Sequence, residues 1–178
     1  MIKIYIANLG KYNEGCMVGE WFELPYSGEE WDKLLKDIDI NKKYEEFFIA
    51  DVDCEISSIS KSISEYSNIT ELNELAERLE SLEKWEVDKF SAITESEHYS
   101  IEDLVNITYK LDCWELYPDV KDDEELGEYF FYELQAIEIS DKVVGYFNFE
   151  RYGSDIHLNS WSGSYTTYGY ICQVSNMR

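Results

Sequence analysis

The chain has 178 residues and a formal net charge of -23, from 38 Asp plus Glu against 15 Lys plus Arg. Acidity of this size reads as disorder when aromatics are scarce, but here 16% of residues are aromatic and 44% are apolar, enough for a folded core. The composition argues against a basic nucleic-acid-binding groove, and no apolar run approaches the roughly 18 residues of a membrane-spanning helix.

The charge is not an acidic tail. Up to Ser60 there are 13 acids and 6 bases, from Lys61 to Ile101 10 and 4, and from Glu102 to Arg178 15 and 5. Solubility or adaptation to high salt is the plain reading of such a surface. The sharper one is that it copies a polyanion or binds a basic partner. The opening MIKIYIANLG has no basic stretch followed by a long apolar one, so no signal peptide is expected. Cys16, Cys54, Cys113 and Cys172 lie far apart without a C-x-x-C pair, which points to reduced thiols in a cytoplasm.

In chain order, Lys3 to Asn8 alternates apolar and polar and predicts a strand, followed by a loop from Leu9 to Gly19. Glu20 to Leu24 predicts a second strand, stopped by Pro25. Ser27 and Glu30 have the S-x-x-E spacing of a capping box before a short helix carrying Trp31, Leu34 and Leu35. Glu46 to Asp53 predicts a third strand. Ile56 to Ser67 holds six serines and reads as a loop or linker. Asn68 and Glu71 signal a helix start, and Ile69, Leu72, Leu75, Leu79 and Leu82 follow at helical spacing. A second helix is expected over Glu86 to Glu95 with Phe90 and Ile93 inward, and a third after the Ser100 and Asp103 cap. Cys113 to Tyr117 predicts a strand, Asp122 to Leu134 a helix with Leu126, Tyr129, Phe130 and Leu134 inward, and Tyr165 to Val174 a closing strand. The fold class is therefore α+β. It divides into a sheet-and-helix part (1–60), a helical part (61–101) and a C-terminal α+β part (102–178).

Glu71, Glu74, Glu77, Glu80 and Glu83 recur every third residue along the Leu-rich helix. Glu74, Glu77 and Glu80 fall opposite the leucines, while Glu71 and Glu83 flank the apolar stripe. Their axial interval is about 4.5 Å, close to the roughly 3.4 Å per charge of one DNA strand. Glu is a good helix former and often fills a wet face, but the Lys expected at i+4 is largely missing. The same imbalance recurs where Asp119, Asp122, Asp123, Glu124, Glu125 and Glu128 face one lysine.

Little else resembles chemistry. The two histidines, His98 and His157, are about sixty residues apart, too few for a metal site or a nucleophile triad. Asp51 and Asp53 form an acid pair without a nearby Lys or His, and no EF-hand loop is present. Gly10, Gly15 and Gly19 match neither G-x-G-x-x-G nor a P-loop and read as turn glycines. Trp21, Trp31, Trp85, Trp114 and Trp161 are mostly core candidates. No metal, cofactor or catalytic residue is expected.

The segment Ile4 to Pro25, with its strand, its Tyr12-Asn13-x-Gly15 loop and its Gly19-Glu20-Trp21 start to the second strand, resembles the opening of ArdA-type antirestriction proteins. Glu71 to Leu82, Asp122 to Leu134, Tyr146 to Leu158 and Tyr168 to Ile171 resemble later parts of the same family, in order. The tail departs from the pattern, with a Trp and three tyrosines near the end. The resemblance implies an elongated protein of three small domains, encoded on a mobile element. It implies a non-catalytic DNA mimic that occupies the DNA groove of type I restriction-modification enzymes, meaning the methyltransferase core with its DNA-specificity subunit, and inhibits restriction and modification in the cytoplasm of a bacterial host. The acids of the two runs would be the phosphate mimics. The resemblance also implies a homodimer through the C-terminal part, with Tyr146, Phe147, Phe149, Tyr152, Tyr168 and Tyr170 as interface candidates. Direct nucleic-acid binding and membrane association are not expected. The competing reading is an acidic decoy for another basic DNA-binding protein, a regulator or nucleoid protein.

Overall fold

A computed structural model describes residues 1–95 and 97–174, apart from the side chain of Trp161. The fold is α+β, with two three-stranded antiparallel sheets among the described residues. The chain forms two compact units, Met1–Glu83 with Glu97–Tyr109, and Lys84–Ser96 with Lys110–Arg178. The helical middle is thus shared between them, and Ser60, the first boundary suggested by the sequence, lies inside a short helix of the first unit.

The first unit is built on β1 (Ile2–Asn8), which pairs with β2 (Gly19–Leu24) on one side and β3 (Phe47–Cys54) on the other. The two-residue period of β1 sends Ile2, Ile4 and Ile6 to one face, where all three are buried. A bulge opposite Tyr5 and Ile6 inserts Ala50 and leaves Asp51 and Asp53 on the outer face. Helix α2 (Gly28–Asp37) starts at the expected Ser27–Glu30 capping box and buries Leu34. Helices α4 (Ile69–Glu80) and α6 (Ile101–Thr108) pack together, and Leu72, Leu75, Leu104 and Val105 are buried.

Two stretches read as loops contain helices. In Leu9 to Gly19, α1 (Leu9–Asn13) begins because buried Asn8 accepts a bond from Lys11 N (3.0 Å) while its Nδ2 donates to Ile38 O and Asp39 O, both at 3.1 Å. A capping asparagine inside a strand-like pattern hid this start. In the serine-rich stretch, α3 (Ser57–Ser62) is anchored by Ile59, which is fully buried. Ser60 Oγ donates to Cys54 O at 3.3 Å and Ser62 Oγ to Ser58 O at 2.9 Å. The hydroxyls that suggest a linker here satisfy backbone carbonyls locally.

In the second unit, α5 (Lys84–Thr94) buries Phe90, Ala92 and Ile93, and Lys89 Nζ donates to Trp114 O at 2.9 Å. Its sheet has the order β4 (Trp114–Pro118), β6 (Gly169–Gln173), β5 (Trp161–Thr166). The single closing strand expected over Tyr165 to Val174 is a hairpin instead: the chain turns at Thr167 and Tyr168, and Gly169 sits at φ +128°. Helix α7 (Asp123–Tyr132) ends before Leu134, which is exposed and not inward as expected. After a short α8 (Asp141–Val144) comes α9 (Phe149–Asn159), which the sequence pattern did not reveal. It crosses α7 at two glycines. A Cβ on Gly127 would lie 2.1 Å from Phe149 O, and one on Gly153 would lie 1.7 Å from Asp123 O. The crossing holds α7 against a core of Val120, Leu126 and Tyr170.

Candidate functional site

The acidic face of α4 follows from how the helix is anchored. Asn68 caps it by accepting from Thr70 N at 2.9 Å, and Ile69, Leu72, Leu75 and Ala76 are buried. The 3.6-residue period then leaves Glu74, Glu77 and Glu80 exposed and Glu71 half-buried. Neutral amides steady two of them: Asn68 Nδ2 donates to Glu71 Oε1 at 3.0 Å and Asn73 Nδ2 to Glu77 Oε1 at 2.9 Å. Asn73 is itself held, because Tyr26 N donates to its Oδ1 at 2.7 Å. Arg78, the one base within the helix, turns away from the row. Its guanidinium lies 4.1 Å from the centre of the Tyr109 ring and donates to Thr108 O at 3.3 Å, at the negative end of α6. Among the described residues no ion pair involves Glu71, Glu74, Glu77 or Glu80. One expectation is corrected. The helix ends at Glu80 with Ser81 as its C-cap, so Glu83 lies beyond it and not on its face.

The second acidic run opens α7. Asp122 caps the helix by accepting from Glu125 N at 2.9 Å, and Glu125 Oε2 accepts from Lys121 N at 2.7 Å. Asp123, Glu124 and Glu125 occupy the first turn, at the positive end of the helix dipole, where carboxylates are favoured. Asp119 precedes them at φ +65° and is exposed, as are Asp122, Glu124, Glu125 and Glu128. Asp123 differs. It is half-buried, and its Oδ1 accepts from the Tyr165 hydroxyl at 2.5 Å, so that carboxylate is engaged inside its own unit. Burial, then the bond to Asp123, pushes the Tyr165 hydroxyl well above its ordinary range. A recess of about 420 Å³ lies beside it, lined by Lys121, Asp122, Asp123, Glu124, Glu150 and Tyr165. Glu150, on the unforeseen α9, is the acid the sequence pattern missed.

The aromatic interface candidates divide. Phe147, Phe149 and Tyr152 are half-buried and form a ring cluster with Phe131 and Tyr132, with centroid separations of 4.7 to 6.1 Å. Tyr146 is 90% exposed beside them. Tyr168 is exposed at the hairpin turn. Tyr170 is fully buried against Tyr117, Tyr165 and His157, so its ring belongs to the core and not to a surface. Two tryptophans expected inside, Trp21 and Trp85, are exposed; the Trp161 side chain lies outside the described residues.

Among the described residues, no group of three or more His, Cys, Asp or Glu is arranged to hold a metal ion, and no helix is long and apolar enough to cross a membrane. The four cysteines are free; burial pushes the Cys54 and Cys172 thiols up.

These features define a class: a folded polyanion with two acidic runs on or beside capped helices, largely unopposed by bases. The family model of the ArdA antirestriction proteins matches residues 4–172, and the chain belongs to that family. Membership implies an antirestriction function and interaction with restriction-modification enzymes. No curated protein matches the chain.

Proposed function

We propose that this protein is a non-catalytic mimic of DNA. It occupies the DNA-binding groove of a type I restriction-modification enzyme, formed by the methyltransferase core and its DNA-specificity subunit, in the cytoplasm of the bacterial host. The observation that supports this most is the α4 face. Three exposed glutamates stand there without a cation, while the single arginine of that helix is turned onto Tyr109. A groove built for duplex DNA is lined with Lys and Arg, and its affinity comes largely from counterion release. Carboxylates fixed at intervals of about 4.5 Å collect the same term. They present no base edges, so inhibition should be indifferent to the enzyme's recognition sequence. The first turn of α7 supplies a second acidic face, and the Tyr146, Phe147, Phe149, Tyr152 cluster supplies the surface through which two copies pair.

Competition decides the reading. A type I methyltransferase is bound to labelled duplex carrying its target, and this protein is titrated in. The expected outcome is displacement of the duplex, with similar affinity of this protein for type I enzymes that recognise different target sequences. Inhibition without displacement of DNA would place the contact outside the groove and defeat the mimicry reading.

A further inference from the structure

A cavity of about 460 Å³ opens in the first unit at the head of α4. The segment before α2 brings Tyr26 to it, α2 brings Trp31, and β3 brings Phe47. The three rings lie on one side of the sheet. Phe47 pairs directly with Asn8, whose Nδ2 donates to Ile38 O at the end of α2, and directly paired residues send their side chains to the same face. The rings touch in series: Tyr26 stacks on Trp31 at 5.3 Å, and Trp31 meets Phe47 edge-on at 5.3 Å. The rest of the lining comes from the turn between α3 and α4, with Glu65 and Tyr66, and from the start of α4, with buried Ile69.

That turn is pinned twice. Ile49 N of β3 donates to Glu65 O at 2.9 Å, and Ser64 N donates to Ser67 Oγ at 2.8 Å. It nevertheless leaves Tyr66 71% exposed, and among the described residues its ring meets no other ring and its hydroxyl has no hydrogen bond. Packing within the chain does not account for a large ring held in that position. Glu65 is the one charged residue in the lining, and among the described residues nothing hydrogen-bonds or pairs with its carboxylate. The wall is also tied to the acid row of α4: Tyr26 N donates to Asn73 Oδ1 at 2.7 Å, and Asn73 Nδ2 to Glu77 Oε1 at 2.9 Å. An anion has no place here, because Asn68 already caps Thr70 N and its amide holds Glu71. Aromatic walls with one acid and no base suit an occupant with an apolar stem and a cationic head. The stem lies along the rings, and the ring quadrupoles and Glu65 attract the head.

We propose that this cavity receives a long basic side chain, lysine or arginine, from the same protein whose DNA groove meets the α4 acids. The assignment of the partner rests on the mimicry reading; the cavity's preference for an organic cation does not. The α4 row offers many weak contacts that respond to charge alone. The cavity adds one contact in which a single side chain is enclosed, and enclosed contacts carry most of the energy of an interface.

The first test uses the full chain at about 150 mM salt, where attraction to the exposed acids is largely screened. The probes are n-butylammonium, n-butylguanidinium and, as the uncharged control, n-butanol. Binding is followed by proton–nitrogen NMR, with the Trp31 indole signal assigned by its loss in Trp31→Phe. Both cations should shift that indole and the amides of 65–70 saturably, and bind at least about threefold more tightly than the alcohol. Glu65→Gln combined with Tyr66→Ala, both at exposed positions, should remove that preference. Butanol binding as tightly as the cations would overturn the proposal, as would cation shifts confined to the exposed acids of α4 and α7. The second test puts the same double variant into the competition with a type I methyltransferase. Its midpoint should rise about fivefold, more than for Glu74→Gln alone. An unchanged midpoint would overturn the proposal and leave the mimicry reading intact, since the unmodified protein would still displace the duplex. Failure of the unmodified protein to displace DNA would defeat the mimicry reading and the partner assigned here, while the small cations would still decide whether the cavity takes a cation.

Discussion

The exposed glutamates of α4 have neighbours of like sign and no cation; helix geometry sets their spacing, and the Asn73 amide steadies Glu77. An exposed carboxylate contributes on the order of 1 kcal/mol or less to any one contact. Single Glu→Gln changes at 74, 77 or 80 should therefore weaken inhibition only slightly, and the triple change by on the order of tenfold. Titration of a type I enzyme with each variant measures this. Loss of all inhibition from one of these substitutions, with circular dichroism unchanged, would mean a point contact and not a distributed one. A second residue-scale expectation concerns Tyr117, whose hydroxyl is pushed up to about 12, first by burial and then by nearby Cys172 and Glu115. Once the chain unfolds, that hydroxyl ionises near pH 10, the ordinary tyrosine value. Above that pH the unfolded state loses a proton that the folded state keeps, so stability is full below about pH 10 and declines as pH rises toward 12. Urea midpoints across that window should fall, and Tyr117→Phe should flatten the fall. An equally steep decline in the phenylalanine variant would assign it to other groups, of which Tyr165 is the first to examine.

At the scale of elements, α7 depends on its crossing with α9. Alanine at Gly153 would place a carbon 1.7 Å from Asp123 O, and at Gly127 one 2.1 Å from Phe149 O, both backbone atoms that cannot swing aside. Either change should destabilise the protein by at least about 1–3 kcal/mol, the usual cost of overpacking. Because Asp123 O is the atom struck, Gly153→Ala should also displace the acidic first turn. Denaturant unfolding measures the first effect and NMR shifts over residues 119–128 the second; alanine tolerated at both sites would show that the helices part easily. This crossing also shows where sequence reading stops. Helices announced by polar caps were legible: Ser27 with Glu30, Asn68, and Ser100 with Asp103 all form the bonds their spacing predicts. So were strands with clean alternation, such as β1. Helix α9 begins with Asn148, but its aromatic residues face a neighbouring helix through a glycine contact that no period reveals. The hairpin after Trp161 was hidden because Tyr165 and Tyr170 sit on different strands yet read as one aromatic run. Of the candidate acids, the α4 face was legible from helical period alone. The engagement of Asp123 was not, because its partner Tyr165 lies 42 residues away.

For the whole molecule, charge and aromatic surface act in opposite directions, and salt separates them. A chain at -23 repels itself, so folding stability should rise with salt, while affinity for a basic groove should fall steeply over the same range. Melting temperature and inhibition measured from about 50 to 200 mM salt give the two trends; an affinity that stays flat would point to an apolar contact. The proposed pairing of two copies would bring these forces together. The ring cluster of Phe131, Tyr132, Phe147, Phe149 and Tyr152, with Tyr146 90% exposed, is aromatic surface that a single copy leaves only partly covered. Two such patches related by a two-fold axis make a self-complementary contact, and a two-fold array of acidic faces suits an enzyme that reads two half-sites. Association must overcome repulsion between two chains of -23, so the dimer should strengthen as salt screens that repulsion. Inhibition, by contrast, should weaken with salt. Light scattering at tens of micromolar across a salt series should show the dimer fraction rising. Tyr146→Ser combined with Phe147→Ser should abolish it, with the first unit's NMR signals as a control for folding. A strict monomer at every salt concentration would remove the paired model and leave one copy covering part of the groove.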